Sequence, residues 1–203
     1  VHWRVMINGV CMTQMNVLDS PAIPDSVREE FFGGPDANGV LVYGGWNDAD
    51  ADRRRLYAQL RALELHANIV LTGDIHGQFV AELVEDNELP AYVPGTGLGT
   101  LGRPVGVEIM TGATSGGADE VAAATGYEAA NDRPPGMDPQ FQSLWMPGAR
   151  PVAKALEAAI RLATPNLRYS EWSDDAYALL HLEPAQATCE LWRVNKRDPD
   201  APP

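Results

Sequence analysis

The sequence predicts an α/β domain. Leu56, Leu60 and Leu63 fall at i, i+4 and i+7, the spacing of a helix with one apolar face. That pattern leads into a short apolar run rich in β-branched residues, Asn68-Ile69-Val70-Leu71-Thr72, which suits a buried strand. The run closes on Gly73-Asp74-Ile75-His76-Gly77, a polar turn at the carboxyl end of a strand. Helix, then strand, then a candidate ligand site is the α/β order.

Composition narrows the class. A chain of 203 residues is long enough for one domain with a real core. Hydrophobic residues make up 45% and charged residues 21%, which describes a soluble globular protein. No window approaches 18 apolar residues, so no membrane span is expected. A net charge of −13 argues against nucleic acid as a partner, because such binding needs a basic surface. It suits a protein that binds hard cations or works in a salty medium, and equally one that is simply kept soluble. Cys11 and Cys189 are far apart, each in an apolar run, and read as two buried free thiols. Val1-His2-Trp3-Arg4 reads as the start of a strand rather than a signal segment. That opening suggests a fragment, a processed product or one piece of a split protein.

The elements follow in order. Residues 2–13 read as a strand carried by Trp3, Val5, Ile7 and Val10, with Met12 and Met15 as core fillers. Breakers such as Gly33-Gly34-Pro35 make 16–38 a loop, with one helical turn near 26–32. Val40-Leu41-Val42-Tyr43 is a short strand. Asp50 and Asp52 favour the start of the next helix by capping and by the macrodipole, and that helix runs to about His66. Residues 78–84 form a strand, 85–103 a Gly- and Pro-rich loop, and 105–110 a further strand. Residues 118–149 are loops with short helices. A helix at 151–163 shows Val152, Leu156, Ala159 and Ile160 on one face, and Pro165 ends it. Two strands at 177–182 and 188–194 close the domain, and His181 reads as a sheet-face histidine. Residues 1–195 form the domain and 196–203 a polar tail. Among motifs with chemistry, no Walker loop, Gly-x-Ser-x-Gly elbow or Cys-x-x-Cys pair occurs.

Asp74 and His76 therefore carry the chemical argument. A carboxylate oxygen and an imidazole nitrogen two residues apart, between glycines that free the backbone, make a sensible pair of metal ligands. Read by composition alone, Asp74 serves equally well as a cap for the segment that follows. Thr111-Gly112-Ala113-Thr114-Ser115-Gly116-Gly117 follows a strand and can offer backbone N–H groups to a phosphate, or be a plain loop.

The same residues carry a resemblance. Val70-Leu71-Thr72-Gly73-Asp74-Ile75-His76 resembles the last metal-binding motif of the PhoD-like alkaline phosphatases, a branch of the calcineurin-like metallophosphoesterases in which Asp replaces the first His of Gly-His-x-His. Trp3-Arg4-Val5-Met6-Ile7-Asn8-Gly9-Val10-Cys11-Met12 resembles the family strand Trp-Lys/Arg-Val-Leu-Gly-x-Gln-Val-Met-Met. Trp46 to Leu56 lines up on Trp-Asp-Gly-Tyr-Pro-Ala-x-Arg-x-x-Leu, with Asn47 where the family has Asp and Ala49 where it has Tyr. Val107-Glu108-Ile109, Thr114-Ser115-Gly116-Gly117 and Pro165-Asn166-Leu167-Arg168-Tyr169 resemble stretches further downstream.

The resemblance implies the C-terminal half of a calcineurin-like β-sandwich flanked by helices, and hydrolysis of phosphate esters. It implies Asp74 and His76 as catalytic metal ligands; Asn47 or Asp48 is a candidate contact to metal or substrate, and Thr114 and Ser115, in the cluster after the strand, are the candidate substrate contacts. An Asp in place of His shifts preference from zinc towards Ca²⁺ and Fe³⁺, with Zn²⁺, Mn²⁺ and Mg²⁺ as alternatives. The remaining ligands would come from a second chain carrying the N-terminal half, in a periplasmic or extracellular setting. A non-catalytic scaffold or interaction subunit derived from such a half-domain is the competing class.

Overall fold

A computed structural model describes residues 3–15, 45–46, 49–73, 77–87, 92–93, 98–99, 104–112, 149–172 and 174–194. The loop expected at 16–38, the strand at 40–43, the mixed region 118–148 and the tail 196–203 lie outside them. The elements are β1 (Arg4–Asn8), α1 (Asp50–Ala62), β2 (Asn68–Thr72), β3 (Gln78–Leu83), β4 (Tyr92–Val93), β5 (Leu98–Gly99), β6 (Gly106–Met110), α2 (Ala149–Ala163), β7 (Leu167–Glu171), β8 (Asp175–Leu182) and β9 (Ala187–Val194). This is a mixed α/β chain, as expected.

One five-stranded sheet runs in the order β1-β2-β6-β3-β7. β1, β2 and β6 are parallel, while β3 runs antiparallel to both β6 and β7. Residues on β2 are almost all buried, as its β-branched run requires. β4–β5 and β8–β9 form separate two-stranded ribbons, and the β8–β9 turn is closed by Glu183 N–H donating to Gln186 O at 2.8 Å. Trp3 Nε1 donates to Glu183 O at 2.7 Å, joining the tip of that ribbon to the start of β1.

α1 covers the sheet face that carries Val70. Met12, Tyr57, Val70, Leu83 and Val105 form a buried cluster there, with Trp46, Leu56 and Leu60 packed against it. Arg53 is wholly buried beneath the helix. Its guanidinium donates to Val84 O and Glu85 O and to Gln14 Oε1, pairs with Asp50, and lies over the Tyr57 ring. Burial of a charged group is tolerated here because both terminal guanidinium nitrogens are bonded, although Nε has no partner among the described residues.

Several expectations shift. β1 is five residues long and lies at the sheet edge among the described strands. Val5 and Ile7 therefore face outward, Ile7 being 86% exposed, whereas Met12 and Met15 are core as expected. α1 stops at Ala62, four residues before His66. Leu65 N–H donates to Leu60 O at 2.8 Å and Glu64 N–H to Arg61 O at 2.9 Å, with Glu64 at φ 54. This double closure is a Schellman stop, and it leaves Leu63 exposed. Asp50 and Asp52 occupy the first turn, but Ala49 at the N-cap makes no side-chain cap. Asp50 instead pairs with Arg53 and Arg54. Burial alone would raise its carboxyl, but these two arginines outweigh that and hold it below its ordinary value. The loop expected at 85–103 contains the β4–β5 ribbon. Arg168 anchors that ribbon, donating to Tyr92 Oη at 2.6 Å and pairing with Glu82, which also accepts from Tyr92. Cys11 is buried, Cys189 is half-buried, and both are free. His181 lies on the exposed face of β8, 3.4 Å from Glu190.

Candidate functional site

Parallel register brings three strand ends to one level. Asn8 pairs with Thr72, and Thr72 pairs with Met110. The chain therefore leaves β1 at Gly9, β2 at Gly73 and β6 at Thr111 side by side, neighbouring strands being about 4.8 Å apart. β3 starts at the same level, since Phe79 pairs with Met110, and β7 ends there, since Gln78 pairs with Glu171. The edge beyond carboxyl strand ends is where open α/β sheets bind ligands.

The candidate residues Asp74, His76, Asn47, Thr114 and Ser115 lie outside the described residues, but their approaches do not. Thr72, two positions before Asp74, is held twice from β6. Its carbonyl accepts from Thr111 N at 2.9 Å and from Thr111 Oγ1 at 3.3 Å. Its hydroxyl donates to Glu108 Oε1 at 2.6 Å. Trp46, the residue before Asn47, donates its N–H to Cys11 O at 3.0 Å. A Cβ added at Gly73 would meet nothing within 4 Å. At Gly77 it would fall 2.5 Å from Phe79 Cε2 and 3.0 Å from Trp172 Cδ1, so a side chain at this return corner would force those buried rings to shift.

Glu108 is the residue that sequence reading passed over except as part of a family stretch. It is fully buried in the middle of β6. Besides Thr72, it accepts from Met12 N at 2.8 Å and from Thr13 N at 2.7 Å. The available signal was a carboxylate inside an otherwise apolar strand. Nearby, burial first and then the negative charge of Glu108 push the Cys11 thiol well above its ordinary value, and the Tyr57 hydroxyl is raised for the same two reasons. Cys11, buried and with Sγ donating to Thr13 O at 3.3 Å, serves as a packing residue. Gln78 Oε1 and Trp172 Nε1 are buried at this edge without hydrogen-bond partners among the described residues. Among the described residues no three His, Cys, Asp or Glu side chains gather as a metal site.

A family profile described as PhoD-like phosphatase matches residues 1–191. The chain belongs to the PhoD-like phosphatase family. Its resemblance to that family, read first from the turn after β2, thus extends over nearly the whole sequence. The chain is also similar to a solved structure described as "Structure of PhoD", at 14% identity and a TM-score of 0.48, over 96% of this chain and 32% of that one. It therefore spans about a third of that protein's length. No curated protein matches it. The family is one of phosphatases, and no helix among the described residues is long and apolar enough to cross a membrane.

Proposed function

We propose that this PhoD-like chain contributes Asp74 and His76 to a metal site that hydrolyses phosphate esters. What supports the reading is the common level at which β1, β2 and β6 end, because the segments leading to Asp74, His76, Thr114 and Ser115 leave from that one edge. The donor set fits a hard cation: a carboxylate oxygen and an imidazole nitrogen, with the amide oxygen of Asn47 as a third donor. Ca²⁺ with Fe³⁺ is the pair this set favours. Bound ions of this kind stabilise the charge on the attacking and leaving oxygens of a phosphoryl group in flight.

The chain's own part is to hold and to orient. Asp74 supplies negative charge to the cations, and His76 supplies a directed nitrogen whose second nitrogen a neighbouring acceptor can fix. Thr114 and Ser115 present hydroxyl and backbone N–H groups to the phosphate. Three donors fall short of the six to eight that calcium takes. The remaining ligands are supplied by the N-terminal half of a calcineurin-like sandwich, carried by a second polypeptide that stays with this one.

The assay is hydrolysis of a chromogenic phosphomonoester by the purified assembly in the presence of Ca²⁺. Asp74→Asn is expected to lower kcat/KM by about 100-fold or more, since even outer-shell partners of metal ligands are worth 10- to 100-fold. Activity unchanged by that substitution would leave the scaffold reading standing. Metal analysis and mass spectrometry of the same sample test the assembly; a lone copy of this chain holding no metal refutes it.

A further inference from the structure

We propose that Glu108 is a positioning residue for the candidate metal site, its buried carboxylate setting the spacing between the end of β2, which leads to Asp74 and His76, and residues 11–13, which hold the residue before Asn47. The proposal rests on reading Asp74, His76 and Asn47 as metal ligands. One segment is the end of β2, where Thr72 donates to Glu108 Oε1 at 2.6 Å two residues before Asp74. The other is 11–13, whose Met12 and Thr13 N–H groups donate to the same carboxylate at 2.8 Å and 2.7 Å. Cys11 O in turn accepts from Trp46 N at 3.0 Å, one residue before Asn47. Both segments are thereby referenced to one side chain on β6.

The chemistry of the carboxylate matters here. Three N–H and O–H donors converge on it, all neutral and two of them consecutive backbone N–H groups, with the Cys11 thiol a longer fourth at 3.9 Å. An ionised carboxylate offers about four lone-pair sites and satisfies all three with short, charge-assisted bonds. A glutamine in its place keeps one acceptor oxygen and turns an NH₂ towards one of the donors. An apolar side chain would fill the space and tie nothing. A carboxylate buried so deeply is costly to place unless its oxygens are hydrogen-bonded, as these are. The segments it joins are 36 and 95–96 residues away in sequence, so the tie is a long-range one.

The test uses the full-length protein with whatever partner co-purifies, and Mn²⁺ as the probe, followed by electron paramagnetic resonance. Wild type is compared with Glu108→Gln, Thr72→Val and Thr72→Ser; far-UV circular dichroism checks the fold and amide exchange reads Met12, Thr13 and Trp46. Glu108→Gln is expected to weaken Mn²⁺ binding by about 10- to 100-fold, the range for outer-shell partners. It should also speed exchange at all three amides. Thr72→Val is expected to show part of the loss, and Thr72→Ser to restore most of it. Wild-type Mn²⁺ affinity in Glu108→Gln overturns the proposal, even if thermal stability falls, because the carboxylate is then only an anchor for the core. Where Glu108→Gln does not fold, unchanged affinity in Thr72→Val overturns it in the same way. If wild type and Asp74→Asn bind Mn²⁺ alike, the metal reading itself is what fails, and the proposed role for Glu108 goes with it.

Discussion

The parallel end of the sheet, β1–β2–β6, and its antiparallel end, β3–β7, each bury carboxylates, and they satisfy them by different means. Glu108 takes two backbone N–H groups and one hydroxyl. Glu157 and Glu171, where α2 lies against β7, share Lys154, whose Nζ is 3.0 Å from Glu157 and 2.6 Å from Glu171. Arg193 stands 3.6 Å from Glu171, and Trp172 N–H donates to Glu157. The first arrangement fixes three chain segments through directed bonds. The second balances charge between side chains, one of which, Lys154, remains 40% exposed. Directed neutral donors give spacing, whereas mobile cations give compensation that tolerates movement. The end with fixed spacing is the one from which the candidate ligand segments depart.

The contrast is sharpest under deletion. Glu108→Ala should strand two backbone N–H groups and a hydroxyl in the core, and is expected to cost about 4 kcal/mol, read from urea unfolding. A cost near 1 kcal/mol would show that the parallel end is as forgiving as the other. Gly77→Ala tests the corner between the two ends. Its Cβ would collide with the Phe79 ring and crowd Trp172, and about 2–3 kcal/mol of destabilisation is expected. Gly73→Ala, facing open space, is the matched control.

The smaller effect concerns pH. Burial raises the Glu157 carboxyl, outweighing the Trp172 N–H and Lys154, which lower it. A group raised on folding contributes stability that is present below the ordinary glutamate range and lost as pH rises through its folded value. Glu157→Gln keeps an acceptor for Trp172 N–H and removes the titration. Its deficit against wild type is therefore expected to shrink from pH 4 to pH 7 and to stay within about 1 kcal/mol, read by thermal unfolding at several pH values. A deficit that grows with pH would reverse this account of the antiparallel end.

What could be read from the sequence was local. The apolar run at 68–72, the alternation of the terminal ribbon and the helix ending before Pro165 all follow from spacing and breakers, and each formed near its expected bounds. The Gly-Asp-Ile-His-Gly stretch stands out in the sequence because its residue types are unusual after a strand, while its Asp74 and His76 lie outside the described residues. Glu108 was not, because its partners are supplied by distant segments that only tertiary packing brings together. The burial of Arg53 is not legible, since nothing in its neighbours announces the carbonyls of Val84 and Glu85 that receive it. The exposure of Ile7 is not legible either, because alternation reports a pleat and not which strand lies at the edge among the described strands.

The left-handed turn at Glu64 leaves a reserve of stability unused. An L-residue held there carries about 1–2 kcal/mol of steric cost, and glycine is the usual occupant of such a position. The side chain is exposed, and it precedes β2 rather than following it. Glycine at 64 would add chain entropy to the unfolded state and so recover only part of that cost. An engineer wishing to harden this chain for crystallisation can begin there, expecting a gain of under about 1 kcal/mol in calorimetry and no change in chemistry.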